Sequence, residues 1–309
     1  MKTKVVAGID IGGTNTVYGI VNNEGKIIAQ GAIPTTDFEN PESLAKGVGK
    51  NILELIGVNY NLIGTGIGAP NANYFTGKVE EAPNLNWKGV VPLAEIFKET
   101  LNCTVKLTND ANAAALGEMT FGAAKGIKNF LFITLGTGLG SGIVVNGEMV
   151  YGHDGFAGEV GHVIMFPDGR MCGCGRKGCL ETYCSATGIV RSYLSYFPEN
   201  HFNDIKVDAK YVFNRANENE AEALKAFQFT AEILGLALAN SVAYTSPEVI
   251  FIFGGLAQSG DLLMKPLKES FENNLLSIYK NKIKILQSSL PESSAAILGA
   301  ASLCKEYLR

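Results

Sequence analysis

Three cysteines, Cys172, Cys174 and Cys179, fall within eight residues in the pattern C-x-C-x4-C, and His162 stands ten residues before the first. Three thiolates and one imidazole make a four-ligand tetrahedral zinc set. Gly173, Gly175 and Gly178 let so short a loop fold around an ion. The plainer alternative is three free thiols in a loop. Four protein ligands leave no open coordination position, so zinc held this way is structural. Cys103, Cys184 and Cys304 lie in strand- or helix-like stretches and read as small core residues. His153 and His201 have no partner pattern and take no role.

Glycine suggests a second kind of chemistry. The chain has 36 glycines in 309 residues, against roughly 22 at average usage. Gly12-Gly13-Thr14, Gly136-Thr137-Gly138 and Gly254-Gly255 each follow an apolar, strand-like run. Without a Cβ, such a turn lets backbone N–H groups approach a phosphate closely. A single instance reads first as an ordinary hairpin turn; the recurrence, with Asp10 beside it, favours phosphate. Asp10 stands just before the first turn, where a carboxylate can hold Mg²⁺ directly or through water. No G-x-x-x-x-G-K-[ST] occurs, and a strand-like run follows Gly136 to Gly142 where a dinucleotide fold needs a helix. Asp110 is the third candidate. It follows the strand-like Val105 to Leu107 and opens an alanine-rich helix. Aspartate there is either a helix cap or a carboxylate available for chemistry, and the residues alone leave both open.

These groups need a frame. Val5 to Asp10, Thr16 to Val21 and Lys26 to Ala32 read as three strands joined by tight turns. The same order recurs in Phe130 to Leu135, Ile143 to Val145 and Glu148 to Tyr151, which suggests two related halves. Leu44, Val48, Ile52, Leu55 and Ile56 form one helical face behind Asn40-Pro41. Helices are expected over Ala111 to Phe121, Glu220 to Ala243, Gly260 to Tyr279 and Ser293 to Leu308, and strands over Val249 to Phe253 and Lys282 to Leu286. A domain boundary is expected near Gly122, giving one domain of residues 1–121 plus 294–309 and another of 122–293.

Composition excludes other classes. With 46% hydrophobic and 18% charged residues the chain is globular and not disordered. A net charge of −4 and no basic stretch argue against nucleic acid as a partner. No secretion signal is visible, so a disulfide framework is not expected and a cytoplasmic location is. Thr230 to Tyr244, the most apolar helical stretch, contains Glu232 and is read as too short to span a bilayer, so no membrane role is expected.

Asp10-Ile11-Gly12-Gly13-Thr14, Leu135-Gly136-Thr137-Gly138 and Gly254-Gly255 resemble the ATP-contacting segments of sugar kinases in the actin/hexokinase/Hsp70 superfamily. Gly158-Glu159-Val160-Gly161-His162, followed by C-x-C-G-x-x-G-C-x-E, resembles the signature of the ROK family of repressors, uncharacterised reading frames and sugar kinases. The likeness runs from Asp10 to the terminal helix. It implies an α/β, two-domain duplicated actin/hexokinase-like (ribonuclease H-like) fold, with a cleft between the domains and a structural zinc loop. It also implies ATP-dependent phosphorylation of a hexose, glucose at the 6-hydroxyl first. N-acetylmannosamine, N-acetylglucosamine, fructose or allose are the alternatives.

By the same resemblance Asp110 is the general base. Gly68, Asn84, Asn109, Asp110, Glu159, His162 and Glu181 line the sugar site. Asp10, Gly12, Gly13, Thr14, Gly136, Thr137, Gly138, Gly254 and Gly255 hold Mg-ATP. His162, Cys172, Cys174 and Cys179 hold zinc, with the second His162 nitrogen left for a sugar hydroxyl. Gly66-Ile67-Gly68-Ala69-Pro70 resembles the family's G-x-G-x-P sugar loop, although Asn71 stands where many members carry glycine. Repressor members carry a helix-turn-helix ahead of the first strand, and this chain reaches Asp10 almost at once, so a repressor or a non-catalytic sugar sensor is the weaker expectation. A homodimer or homotetramer is the assembly the family implies.

Overall fold

Val5, Val6 and Ala7 are fully buried in succession, because the strand that carries them is covered on both faces. The computed structural model describes residues 2–199, 201–202 and 205–308. They divide into two compact units, Met1–Ile127 with Glu148–Ala157 and Ser289–Arg309, and Lys128–Gly147 with Gly158–Ser288.

The first unit opens with strands β1 (Thr3–Ile11), β2 (Asn15–Val21) and β3 (Ile27–Pro34), then helix α1 (Pro41–Ile56) and strand β4 (Tyr60–Gly68). A small sheet of β5 (Ala72–Asn73), β6 (Lys78–Glu80) and β7 (Val90–Val91) precedes α2 (Leu93–Leu101), β8 (Thr104–Thr108) and α3 (Asp110–Phe121). The main sheet runs β3-β2-β1-β4-β8, antiparallel through β1 and parallel from β1 to β8. Of the face predicted for α1, Leu44, Val48, Ile52 and Ile56 pack into the core with Ile9, Ile20 and Phe97, whereas Leu55 is exposed. The Asn40 side chain accepts from Ser43 N, and Pro41 follows at the first turn.

In the second unit β9 (Phe130–Leu135) and β10 (Leu139–Val145) form a hairpin. Glu148–Met149, β11, pairs with β10 at the edge of the same sheet, although residues 148–157 cluster with the first unit. Helices α4 (Glu181–Cys184), α5 (Ala186–Leu194), α6 (Ala209–Asn217) and α7 (Ala221–Thr245) follow, then β12 (Val249–Phe253), α8 (Asp261–Asn274) and β13 (Lys284–Gln287). The strand order β11-β10-β9-β12-β13, antiparallel between β10 and β9 and parallel from β9 to β13, repeats β3-β2-β1-β4-β8 of the first unit. Helix α9 (Glu292–Ala301) returns to the first unit.

Several expected elements differ in extent. The strand expected from Ile143 starts at Leu139, because Gly140 and Ser141 pair with β9 despite their weak strand preference. Glu148 to Tyr151 is a strand only as far as Met149. The helix expected through Tyr279 ends at Asn274, and the terminal helix gives way after Ala301 to 3-10 turns. Helix α7 has 25 residues and is long and apolar enough to cross a membrane, contrary to the reading from Thr230 to Tyr244. Its residues Phe227, Leu234, Leu238 and Val242 are nevertheless core residues of the second unit.

Candidate functional site

In the first unit the sheet register sets three candidates side by side. Asp10 on β1 pairs with Gly68 on β4, and Gly68 with Thr108 on β8. The next residue, Asn109, caps α3: its Oδ1 accepts from Ala111 N at 2.8 Å and Asn112 N at 3.4 Å. Among the described residues its Nδ2 has no partner. Asp110 is therefore the first residue of the helix and not its cap, although its own Oδ1 also accepts from Ala111 N at 2.8 Å.

Gly68 leaves space between the Asp10 carboxylate and the start of α3. A Cβ there would stand 3.3 Å from Asp10 Oδ1 and 3.6 Å from Asp110 Cα. Asp10 is half-buried. Burial, with a further contribution from the Asp110 charge, pushes its pKa up to about 7. Asp110 reaches solvent at its own surface, yet the dense atoms around its carboxyl raise its pKa against the lowering effect of backbone N–H donors.

The first glycine turn is a hairpin turn closed by Gly12 N donating to Asn15 O at 2.9 Å. Among the described residues the N–H groups of Gly13 and Thr14 have no partner. A Cβ on Gly13 would fall 2.3 Å from Asn84 O, so this turn and the exposed Asn84 loop lie against each other. Asn71 holds a turn. It takes a left-handed φ of 49°, and its Nδ2 donates to Glu80 O and Glu81 O. Gly66 lies inside β4, where a Cβ would stand 1.8 Å from Ala300 O; its task is to let α9 rest on the sheet.

The second unit holds the other candidates. Gly136-Thr137-Gly138 joins β9 to β10, and its carbonyls are tied to the start of α5: Ala186 N donates to Gly136 O at 2.8 Å and Thr187 Oγ1 to Thr137 O at 2.9 Å. The Thr137 and Gly138 N–H groups have no partner among the described residues. Phe253 pairs with Thr134, so Gly254 and Gly255 sit at the same sheet end. Gly254 has φ 99° and lies against Leu135 O, where a Cβ would stand at 2.6 Å; Gly255 is exposed with open space around it.

The metal candidates converge. The ligand atoms of His162, Cys172, Cys174 and Cys179 all lie within 4.8 Å of one another. Ions at ordinary Zn–S length separate tetrahedral sulfurs by roughly 3.8 Å. The Cys174 and Cys179 sulfurs are 3.6 Å apart, and His162 Nδ1 is 3.6 Å from Cys172 Sγ. The set fits zinc, with Nδ1 as the histidine ligand. At Cys174 a burial penalty is outweighed by donors from Arg176 and from the other two thiols, which bring the thiol down to about 6, while burial raises the Cys172 and Cys179 thiols. Gly178 has φ 76°, and a Cβ there would strike Phe166 O.

The same loop sets the carboxylates. Glu181 Oε1 accepts from Cys172 Sγ at 3.0 Å, and its Oε2 is 2.8 Å from where a Cβ on Gly138 would stand. Glu181 thus touches both the metal ligands and the glycine turn. His162 Nε2 faces Glu159 Oε2 at 3.9 Å. Val160 N donates to Ser141 Oγ at 3.2 Å, and Gly161 lies against Leu139 O, which anchors this segment to the strand that follows the turn. Cys184 and Cys304 are buried as expected, while Cys103 is half-buried with its sulfur 3.3 Å from Thr65 Oγ1. The supports Ser185, Thr187 and Arg176 carry no sequence motif for a ligand site. Only the helix-start pattern Ser185-Ala186-Thr187 hints at the first two, and Arg176 donates to His162 O at 2.8 Å.

The ROK family model matches residues 6–307 of the chain. A glucokinase of Halalkalibacterium halodurans is 36% identical over 99% of this chain and 96% of its own length. The xylose repressor of Bacillus subtilis is 29% identical over 99% of this chain and 78% of its own length. The crystal structure of a ROK family glucokinase from Streptomyces griseus, in complex with glucose and AMPPNP, matches with a TM-score of 0.81 at 30% identity, covering 97% of this chain and 98% of that one.

Proposed function

The chain belongs to the ROK family, and on that footing we propose that it is an ATP-dependent hexose kinase that phosphorylates glucose at the 6-hydroxyl. The carrying observation is the division of labour at the start of α3. Asn109 supplies the helix cap, which leaves Asp110, a carboxylate of raised pKa, to take the proton of the attacking hydroxyl.

The remaining roles follow from chemistry. Asn109 Nδ2, Asn84, the space at Gly68, Glu159, His162 Nε2 and Glu181 bind the sugar. The partnerless N–H groups of Gly13, Thr14, Thr137 and Gly138, with Gly12, Gly136, Gly254 and Gly255, receive phosphate oxygens. Asp10 would hold Mg²⁺, which supplies charge neutralisation on the transferred phosphate. The three cysteines and His162 Nδ1 would hold zinc, which fixes the loop that orients His162 and Glu181. Thiolates of this kind suit the reducing cytoplasm, our proposed location. A homodimer or homotetramer is the proposed assembly, checked by light scattering.

The likeness to a xylose repressor keeps a sugar-sensing reading in play. Asp10 and Asp110 set together at one sheet end favour the kinase. A coupled ADP-release assay over glucose, fructose, N-acetylglucosamine and N-acetylmannosamine decides. Release with glucose above the others supports the proposal. Release only with an N-acetylhexosamine changes the substrate, and none with any sugar, together with a promoter gel shift, favours the sensor.

A further inference from the structure

Residues 148–157 cluster apart from the chain on either side of them, although β11 at their start still pairs with β10. Lys128–Gly147 and Gly158–Ser288 belong to the second unit, while Glu148–Ala157 packs with the first. The next residues are Gly158 and Glu159, so what holds this excursion sets the entry to the Glu159–His162 segment, together with Ser141 Oγ, which donates to Gly158 O and accepts from Val160 N.

Two contacts hold it. The Tyr151 ring stacks on Tyr74 with centroids 4.2 Å apart and planes 5° from parallel, and Phe75 stands edge-on to both. Asn73 Nδ2 donates to Asp154 O at 2.7 Å. Asn73 is 3% exposed, and its Oδ1 is fixed by Phe75 N and Thr76 N. Gly155, at φ 93°, presses against it: a Cβ there would stand 2.5 Å from Asn73 Oδ1. Ala157 N donates to Tyr151 O at 3.0 Å and closes the loop. The Tyr151 hydroxyl lies beside Thr108, two residues from Asp110, and burial raises it above its ordinary range, so it stays neutral. Only four residues lie between Asp154 and Glu159, a reach of about 17 Å at full extension.

We propose that Tyr151 and Asn73 are positioning residues of a clasp that holds residues 151–157 against Asn73–Phe75 and so sets how the Glu159–His162 segment, read above as sugar-binding, begins. The clasp rests on the kinase reading above. It touches no nucleotide group, so it acts on sugar affinity and leaves ATP affinity alone.

Kinetics and hydrogen exchange on Tyr151→Ala, Gly155→Ala and Tyr151→Phe test it in the full-length, zinc-loaded protein. The expected result for the first two is a glucose KM raised about tenfold, with kcat and the ATP KM within about twofold. Amides of 158–162 should exchange faster while β1 and β9 amides do not change. Tyr151→Phe keeps the ring stack and should behave as the parent. A parental glucose KM in folded Tyr151→Ala, or glucose and ATP KM rising together, overturns the clasp. If Tyr151→Ala does not fold, Gly155→Ala and Tyr74→Leu decide by the same measurements. If the parent phosphorylates no hexose, the kinase reading fails, and the exchange of 158–162 alone judges the clasp.

Discussion

Gly68 and Asp10 are paired across neighbouring strands so closely that a methyl on Gly68 would stand 3.3 Å from Asp10 Oδ1. Only the missing side chain lets that carboxylate keep its place beside Asp110. Gly68→Ala should therefore cut turnover about tenfold or more by displacing a charged group at the reacting end. Stability should change little, since the neighbour need give only a few tenths of an ångström. Steady-state kinetics beside a denaturation curve checks this; unchanged turnover would remove Gly68 from the site.

Asp10 sets a pH dependence on the ligand-free protein. Its folded pKa of about 7 lies above the ordinary 3.8, so the folded state binds the proton more tightly than the unfolded one. Its contribution to stability is present below the unfolded pKa and is lost as pH rises through about 7. Asp10→Asn should stabilise the ligand-free protein at pH 8 by on the order of 1–3 kcal/mol, and hardly at all at pH 4. Urea midpoints across that range measure it. A difference that does not depend on pH would contradict the assignment.

Removing one metal ligand should remove two functions. Cys174→Ser should lose zinc and glucose affinity together, because Glu181 and His162 are set by the same loop. Elemental analysis and calorimetry with glucose read the two losses. A metal-free variant with full activity would show that the loop stands without zinc.

Two glycines should respond in opposite ways. Gly66→Ala drives a methyl against the Ala300 carbonyl 1.8 Å away and should cost about 3 kcal/mol through displacement of α9. Gly136 has open space where its Cβ would be. Gly136→Ala should leave stability within about 0.5 kcal/mol while raising the ATP KM. Loss of stability in the second, or an unchanged ATP KM, would argue against a phosphate-facing turn.

Local chemistry was legible in the sequence where it depends on short spacing. The cysteine knuckle and the strand-turn-strand units are of this kind, since glycine and thiol positions within eight residues fix the geometry. What depends on distant partners was not legible. Asp110 reads as cap or base until Asn109 is seen accepting Ala111 N. Gly66 reads as a ligand loop until α9, more than two hundred residues later, is found lying on it. The start of β10 at Leu139 was hidden because Gly140 and Ser141 have little strand preference and are held by pairing with β9. Nothing in Tyr151 announces Tyr74 as its partner.

The central claim is that Asp110 takes the proton from a glucose hydroxyl during transfer from ATP. The most direct measurement is coupled ADP release with glucose for the parent and Asp110→Asn, with glucose binding followed by calorimetry. The account predicts turnover in the parent and a loss of at least about a thousandfold in the variant, with glucose still bound and α3 still capped by Asn109. Turnover within a few-fold of the parent would contradict it.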